Sequence, residues 1–283
     1  MASHESCVWL NGRLEPSAQA RISPWNAAFL VGCGAFETLR AYGGKPFAIT
    51  RHWHRLVRSC AVLGLRPPTL EQFANAMTET LSANELQEAR VRFTVSGGEI
   101  PGGLQSNHGD GLFTCTAVPA TPTKPSESVA MVPWPRNERG ALAGAKSVSY
   151  AENVVALNHA RCNGAGEAIF SNTKDELCEG AASNVFLVRG GLLHTPPLSS
   201  GCLAGVTREL TLEVCRAHGI PVSEEPLPAT ALAGADEAFL TSSMREVQAI
   251  ASVDGTPLSQ PVGPLTRRVA GLFREFVSSH MDP

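Results

Sequence analysis

The stretch GALAGAKSVSYAENVVA, residues 140–156, sets one lysine, Lys146, among glycines and alanines and follows it with two serines and a tyrosine. The chain has only four lysines (Lys45, Lys124, Lys146, Lys174) against nineteen arginines, so its positive charge for solubility comes from arginine. An ammonium group in small, apolar surroundings loses hydration, which favours the neutral, nucleophilic amine that Schiff-base formation needs. Lys146 is either such an amine or a solvated loop residue, and the rest of the chain decides between them.

Outward from this stretch, YAENVVALNHARCNG reads as a helix. Upstream, PATPTKPSES at 119–128 combines three prolines with small polar residues, which gives stiff extended chain. We place a domain boundary there, so that 1–118 form a small N-terminal α/β domain, 119–128 a linker, and 129–283 a larger C-terminal mixed domain carrying Lys146. In the first part, alternation in CVWLNGRLEP predicts a strand entering an Asn11-Gly12 hairpin turn. GAFETLRAYGGKPFAI repeats the pattern with Gly43-Gly44 as its turn. TRHWHRLVRSCAVLGL spaces Trp53, Leu56, Val57, Cys60, Ala61 and Leu63 as a helix, with Thr50 expected to cap it and Pro67-Pro68 to stop it. TLEQFANAMTETLSA reads as a second helix, and ARVRFTVSG and GLFTCTAV as strands. In the second part SVAMVPW, EAIFSN, SNVFLV, GLLHT, EAFLTSS and VQAIASV are candidate strands, and GVTRELTLEVCRAHG and PLTRRVAGLFREFVSS candidate helices.

A length of 283 residues suits two domains, and a hydrophobic fraction of 43%, a charged fraction of 17% and a net charge of -3 describe an ordinary globular protein. No basic excess is present to neutralise phosphates along a nucleic acid, and no stretch approaches the roughly 20 apolar residues of a membrane span. The N-terminus lacks the pattern of a secretory signal, so a cytoplasmic protein is expected. The eight cysteines lie singly, without the CxxC pairs of a zinc site, so reduced thiols are expected. His52 and His54, two apart on a helix, diverge and read as polar-face or capping residues; no metal site is expected. GCGAFE does not form a dinucleotide fingerprint, and no G-x-S-x-G motif supports a serine hydrolase.

Six blocks in order, GCGAFETLR (32–40), HWHRLVRSC (52–60), AKSVSYAENVVALNHA (145–160), CEGAASNVFLV (178–188), LAGVTREL (203–210) and DEAFLTSSMREV (236–247), resemble the class IV, or fold-type IV, pyridoxal-phosphate enzymes. That family includes branched-chain and D-amino-acid aminotransferases, R-selective amine transaminases and aminodeoxychorismate lyase. The resemblance spans nearly the whole chain. It implies a two-domain α/β (α+β) fold with pyridoxal 5'-phosphate between the domains, and a homodimer.

It also implies roles. Lys146 resembles the Schiff-base lysine, and Glu179 the carboxylate that keeps the pyridine nitrogen protonated. Arg55 matches an arginine for the phosphate. Gly205, Val206 and Thr207 open a helix whose backbone N–H groups suit a phosphate. Ser242 and Ser243 match a further phosphate donor position and part of the substrate cup, which Met244 in the same block extends. Tyr150 matches the tyrosine near the cofactor's 3'-oxygen. Arg92, with Arg90 on the same strand face, lies where members bind a substrate carboxylate.

Transamination between an amino acid or primary amine and a 2-oxo acid is the expected reaction, Lys146 carrying the proton as general acid–base. Val31 stands where branched-chain members carry tyrosine, and Phe36-Glu37-Thr38 where they carry FEG, which points away from a branched-chain L-amino acid. TSSMREV and the Thr38 hydroxyl resemble the lyase-like members, so elimination of pyruvate to leave 4-aminobenzoate is the alternative. A protein that binds the cofactor without turnover is the remaining one.

Overall fold

The structure is a computed structural model that describes residues 6–105 and 111–283. The chain forms two units. The first holds the residues up to Thr121, with Ala145–Tyr150 and His280–Pro283; the second holds Pro122–Gly144 and Ala151–Ser279.

The first unit is built on β1 (Cys7–Leu10), β2 (Arg13–Pro16), α1 (Ala27–Val31), β3 (Gly34–Tyr42), β4 (Lys45–Pro46), α2 (Ile49–Leu63), α3 (Leu70–Ala83), β5 (Ala89–Ser96) and β6 (Leu112–Pro119). The strands make an antiparallel sheet in the order β2-β1-β6-β5-β3-β4. Asn11 and Gly12 both adopt positive φ at the first hairpin, as a two-residue turn matched to strand twist requires. Because strand side chains alternate, Leu39, Val91, Phe93 and Val95 bury against Leu56 and Cys60 of α2 and Phe73, Met77 and Leu81 of α3. The opposite face carries Phe36, Thr38, Arg90, Arg92 and Thr94 in register across β3 and β5.

The α2 helix departs from expectation at both ends. Thr50 lies in its first turn rather than at its cap, which is Ala48, with φ +54°. The first turn is instead served from the far end of the chain, Asp282 accepting from the Thr50 N–H at 2.9 Å and from its hydroxyl at 2.6 Å. Gly64, in the left-handed region, ends the helix before Pro67 is reached.

The second unit runs β7 (Ser126–Met131), α4 (Ala151–Cys162), β8 (Glu167–Ser171), β9 (Leu177–Gly180), β10 (Asn184–Arg189), β11 (Leu192–His194), α5 (Val206–Ala217), β12 (Val222–Ser223), β13 (Glu237–Ser242), β14 (Glu246–Val253), β15 (Thr256–Pro257) and α6 (Pro264–Ser279). Its mixed sheet has the order β12-β11-β10-β13-β14-β7-β8-β9, with β15 on β14. On β10, Val185 and Leu187 join a core with Ile169, Leu177, Leu240 and Ile250, while Phe186 and Val188 face Leu212 of α5 and Val269 of α6. Ala156 and Ala160 of α4 cover Phe170 and Cys178.

Two boundaries differ from the sequence reading. β6 extends through Pro119 and β7 begins at Ser126, so extended pairing takes up both ends of the segment 119–128. Lys146 lies in a segment that belongs to the first unit rather than to the C-terminal domain, because its backbone is bonded to β3 and α2. Among the described residues, no helix is long and apolar enough to cross a membrane.

Candidate active site

In the first unit the Lys146 backbone is held on both sides. Its N–H donates to Ser59 Oγ of α2 at 3.0 Å, and its carbonyl accepts from the Phe36 N–H of β3 at 3.0 Å. The Val148 N–H donates to the Gly34 carbonyl at 2.8 Å. That close approach requires glycine at 34, where a Cβ would lie 2.8 Å from the Val95 carbonyl oxygen and 3.1 Å from Val148 Cγ2. With its backbone pinned, the half-buried side chain sends Nζ to 3.1 Å from Tyr150 Oη, 4.4 Å from the centre of the Phe36 ring. Tyr150 meets Phe36 edge to face, centroids 5.1 Å apart, and the Arg92 guanidinium lies 3.7 Å over the same ring. One amine, one phenol and one guanidinium therefore share a single aromatic platform.

Arg90 does not join them: it is exposed and opposite Arg40 in the sheet. Thr38 lies opposite Arg92 across the β3–β5 ladder. A cavity of about 490 Å³ opens beside this sheet, lined by Asn26, Phe29, Thr94, Ser96 and Thr114 among others, and none of the candidate site residues lines it.

Arg55 is buried, not part of a solvated helix face. Its Nε and one terminal nitrogen donate to the two oxygens of Glu37 at 2.8 and 2.6 Å, and His52 Nδ1 lies 2.7 Å from the same carboxylate. Burial alone would raise the Glu37 carboxyl; the charges and hydrogen bonds of Arg55 and His52 outweigh it and hold the group at about 2. Burial lowers His52, against the pull of Glu37. His52 is thus an interior residue, while His54, two positions on, is exposed. The missed signal lies in the sequence: His52, Arg55, Leu56 and Ser59 fall at i, i+3, i+4 and i+7, one buried stripe of α2.

In the second unit Glu179 is buried on β9, a four-residue strand that hydrophobic alternation does not reveal. Its Oε2 accepts from the Leu203 N–H at 2.8 Å, and Arg136 Nε lies 3.4 Å from Oε1, an ion pair without hydrogen-bond geometry. The Leu203 carbonyl accepts from Asn184 Nδ2 at 2.8 Å. One residue therefore ties the carboxylate to the segment that opens α5. That helix starts at Gly205 with no side chain capping it, Val206 and Thr207 forming its first turn. Thr241, directly across from Asn184 on β13, buries a hydroxyl that has no hydrogen-bond partner among the described residues. Ser242 Oγ, next along, accepts from the Arg245 N–H at 3.2 Å, and the Met244 carbonyl from Thr123 Oγ1 at 2.9 Å; Ser243 lies between them in the turn. An uncapped helix start beside an unpaired buried hydroxyl suits a phosphate, and a buried carboxylate with an arginine neighbour suits a protonated pyridine nitrogen. The donor set fits the cofactor.

The profile of the amino-transferase class IV family matches residues 34–253. D-alanine aminotransferase of Staphylococcus haemolyticus is 28% identical over 96% of this chain and 98% of its own. The branched-chain aminotransferase of Thermoproteus uzoniensis, solved with norvaline, superposes with a TM-score of 0.90 at 31% identity, covering 97% of this chain and 95% of that one. A candidate 4-amino-4-deoxychorismate lyase of Legionella pneumophila superposes with a TM-score of 0.86 at 26% identity, covering 92% and 96%. The α/β fold read from the six blocks is the one found, and the chain belongs to the class IV aminotransferases, enzymes that work with pyridoxal 5'-phosphate.

Proposed function

We propose that Lys146 is the residue through which this aminotransferase holds its cofactor and moves the substrate proton. The observation that carries this is the Lys146 backbone, fixed from both sides, with Nζ delivered to Tyr150 Oη at 3.1 Å. Pyridoxal 5'-phosphate, when bound, supplies the electron sink that makes the substrate's Cα proton acidic. The protein's residues do the rest. Lys146 accepts and returns that proton, and Tyr150 orients the amine. Glu179 keeps the pyridine nitrogen protonated. For the phosphate, Arg55, its guanidinium plane set by Glu37, is the donor assigned in the first unit, and the Val206 and Thr207 N–H groups, the Thr207 hydroxyl, Ser242 and Ser243 are those assigned in the second.

The substrate is an amino acid whose carboxylate is taken by Arg92, with a 2-oxo acid as the second partner; Phe36, Thr38 and Met244 shape the space around its side chain. Stacking on Phe36 supports this, because it fixes the guanidinium plane for a bidentate ligand. Arg90, being exposed, plays a weaker part. The same reading takes the enzyme as a cytoplasmic homodimer, supported by the exposed apolar strip of Ile22, Trp25, Phe29, Leu30 and Val31.

The test is the visible spectrum of the holoenzyme with D-alanine, L-glutamate, L-leucine and R-1-phenylethylamine in turn, repeated on Lys146→Ala. Wild type converts the cofactor to its amine form with one donor, and Lys146→Ala forms no borohydride-trappable link at that site. A variant that still forms the trapped link overturns the assignment. Release of pyruvate from aminodeoxychorismate, with no donor effective, favours the lyase reading that the Legionella pneumophila neighbour supports.

A further inference from the structure

Glu167, the first residue of β8, is completely buried and appears in none of the roles above. Its Oε2 accepts from Ser183 Oγ at 3.0 Å and lies 3.3 Å from an Arg245 terminal nitrogen; its Oε1 accepts from the Ala168 N–H at 3.1 Å. Each partner sits in a turn that matters. Ser183 ends the turn that follows Glu179, and Arg245 ends the turn that begins with Ser242 and Ser243. The first turn is drawn tightly onto Glu167: a Cβ on Gly180 would lie 2.2 Å from Ser183 Oγ and 3.3 Å from Glu167 Cδ, so a side chain there would push the Ser183 hydroxyl out of its present position. The second is fixed by Arg245 at several points. Its N–H donates to Ser242 Oγ, its guanidinium to the Gly166 carbonyl at 3.3 Å and to Gln248 Oε1, and Glu127 lies 3.9 Å away.

From this geometry we infer that Glu167 is a positioning residue for the cofactor site, bracing through Ser183 the turn behind Glu179 and through Arg245 the turn that presents Ser242 and Ser243. A buried carboxylate shared by two turns couples them: a shift of either takes a partner from Glu167, which has no exposure to solvent with which to replace it. Burial raises the Glu167 carboxyl, and the Arg245 charge together with the Ala168 and Ser183 hydrogen bonds acts against that rise. The inference rests on the assignment of Glu179, Ser242 and Ser243 to the cofactor.

The experiment titrates cofactor-free full-length protein with pyridoxal 5'-phosphate and follows heat unfolding of the same cofactor-free samples. It compares wild type, Glu167→Gln, Arg245→Met and the double variant. Each single variant weakens cofactor binding about tenfold, and the double variant is no weaker than the worse single, because both break one shared interaction. Affinity within about twofold of wild type in both single variants, with only the unfolding temperature lowered, marks a purely structural ion pair and overturns the inference. Effects that simply add in the double variant overturn the coupling. If Glu167→Gln does not fold, Arg245→Met decides the matter. Wild type that fails to bind the cofactor overturns the inference together with the assignment beneath it, an outcome distinct from the others.

Discussion

Two helices of the second unit, α5 and α6, pack against the same core through Leu212 and Val269, yet their N-termini are treated in opposite ways. At α6 the buried Glu237 carboxylate accepts from the Leu265 N–H at 3.1 Å and from the Thr266 N–H at 2.7 Å. Even the approach is filled, since a Cβ on Gly263 would lie 2.0 Å from Glu237 Cδ. At α5 the cap is Gly205, which has no side chain to accept from the first turn. A Cβ there would collide with Asn184 Oδ1, and Asn184 is engaged with Leu203 instead of the helix. Both helix starts present backbone donors and the same partial positive charge, although α6 opens with Pro264, which has no N–H to offer. The difference lies in whether the protein satisfies them itself. An internal carboxylate makes the α6 start a structural joint; the start of α5, with a small residue in that place, is the one we propose as the seat of the cofactor's phosphate.

The contrast is open to attack at three points. Glu37 belongs with Glu237 among carboxylates used inside the protein, and it gives the largest effect. Glu37→Gln leaves Arg55 buried without its counter-ion, and denaturant unfolding at neutral pH should show a loss of about 3–5 kcal/mol. The wild-type pH dependence follows from the same group. Its folded carboxyl is held at about 2, below the ordinary 4.5, so its contribution is fully present above pH 4.5 and is lost as pH falls from there toward 2. Glu37→Gln should remove that part of the acid sensitivity; an unchanged acid transition would show that the ion pair contributes nothing.

Next is Glu237→Ala, which strands two amides at the start of α6 and should cost on the order of 3 kcal/mol in the cofactor-free protein. Once variant and wild type are both folded, cofactor affinity should be the same in each. A selective loss of affinity would mean that α6 is not merely structural. The smallest effect is at the other helix. Thr207→Val keeps shape and burial but removes a hydroxyl, so cofactor affinity should fall about fivefold, roughly 1 kcal/mol, with the cofactor-free unfolding temperature unchanged. Unaltered affinity would remove Thr207 from the phosphate set.

Much of this was legible in advance. The Asn11-Gly12 and Gly43-Gly44 hairpins, α3 behind Thr69, and the helices after Tyr150 and Gly205 lie where periodicity and turn chemistry place them, because those signals are local. Lys146 stands out by its own surroundings, and Tyr150 and Arg92 by resemblance; the fold brings all three onto one ring, Phe36. β9 was not seen: four residues buried on both faces carry no alternation, so Glu179 could be named only by resemblance. Two histidines two apart on a helix read as polar-face or capping residues, but the stripe that His52 shares with Leu56 puts it inside.

The chain by itself determined the family, the residue types available for chemistry and the elements whose periodicity or turn chemistry is local; β9 and α1 are not among them. Tertiary structure alone decided what each charge was for. Glu37, Glu167, Glu179 and Glu237 look alike as letters, yet one anchors an arginine, one braces two turns, one holds Leu203 and one caps a helix. The physical reason is that burying a carboxylate is costly unless partners are supplied, and the hydrogen bonds described for Glu37, Glu179 and Glu237 come from groups 15 to 29 residues away, brought within reach only when the sheets form.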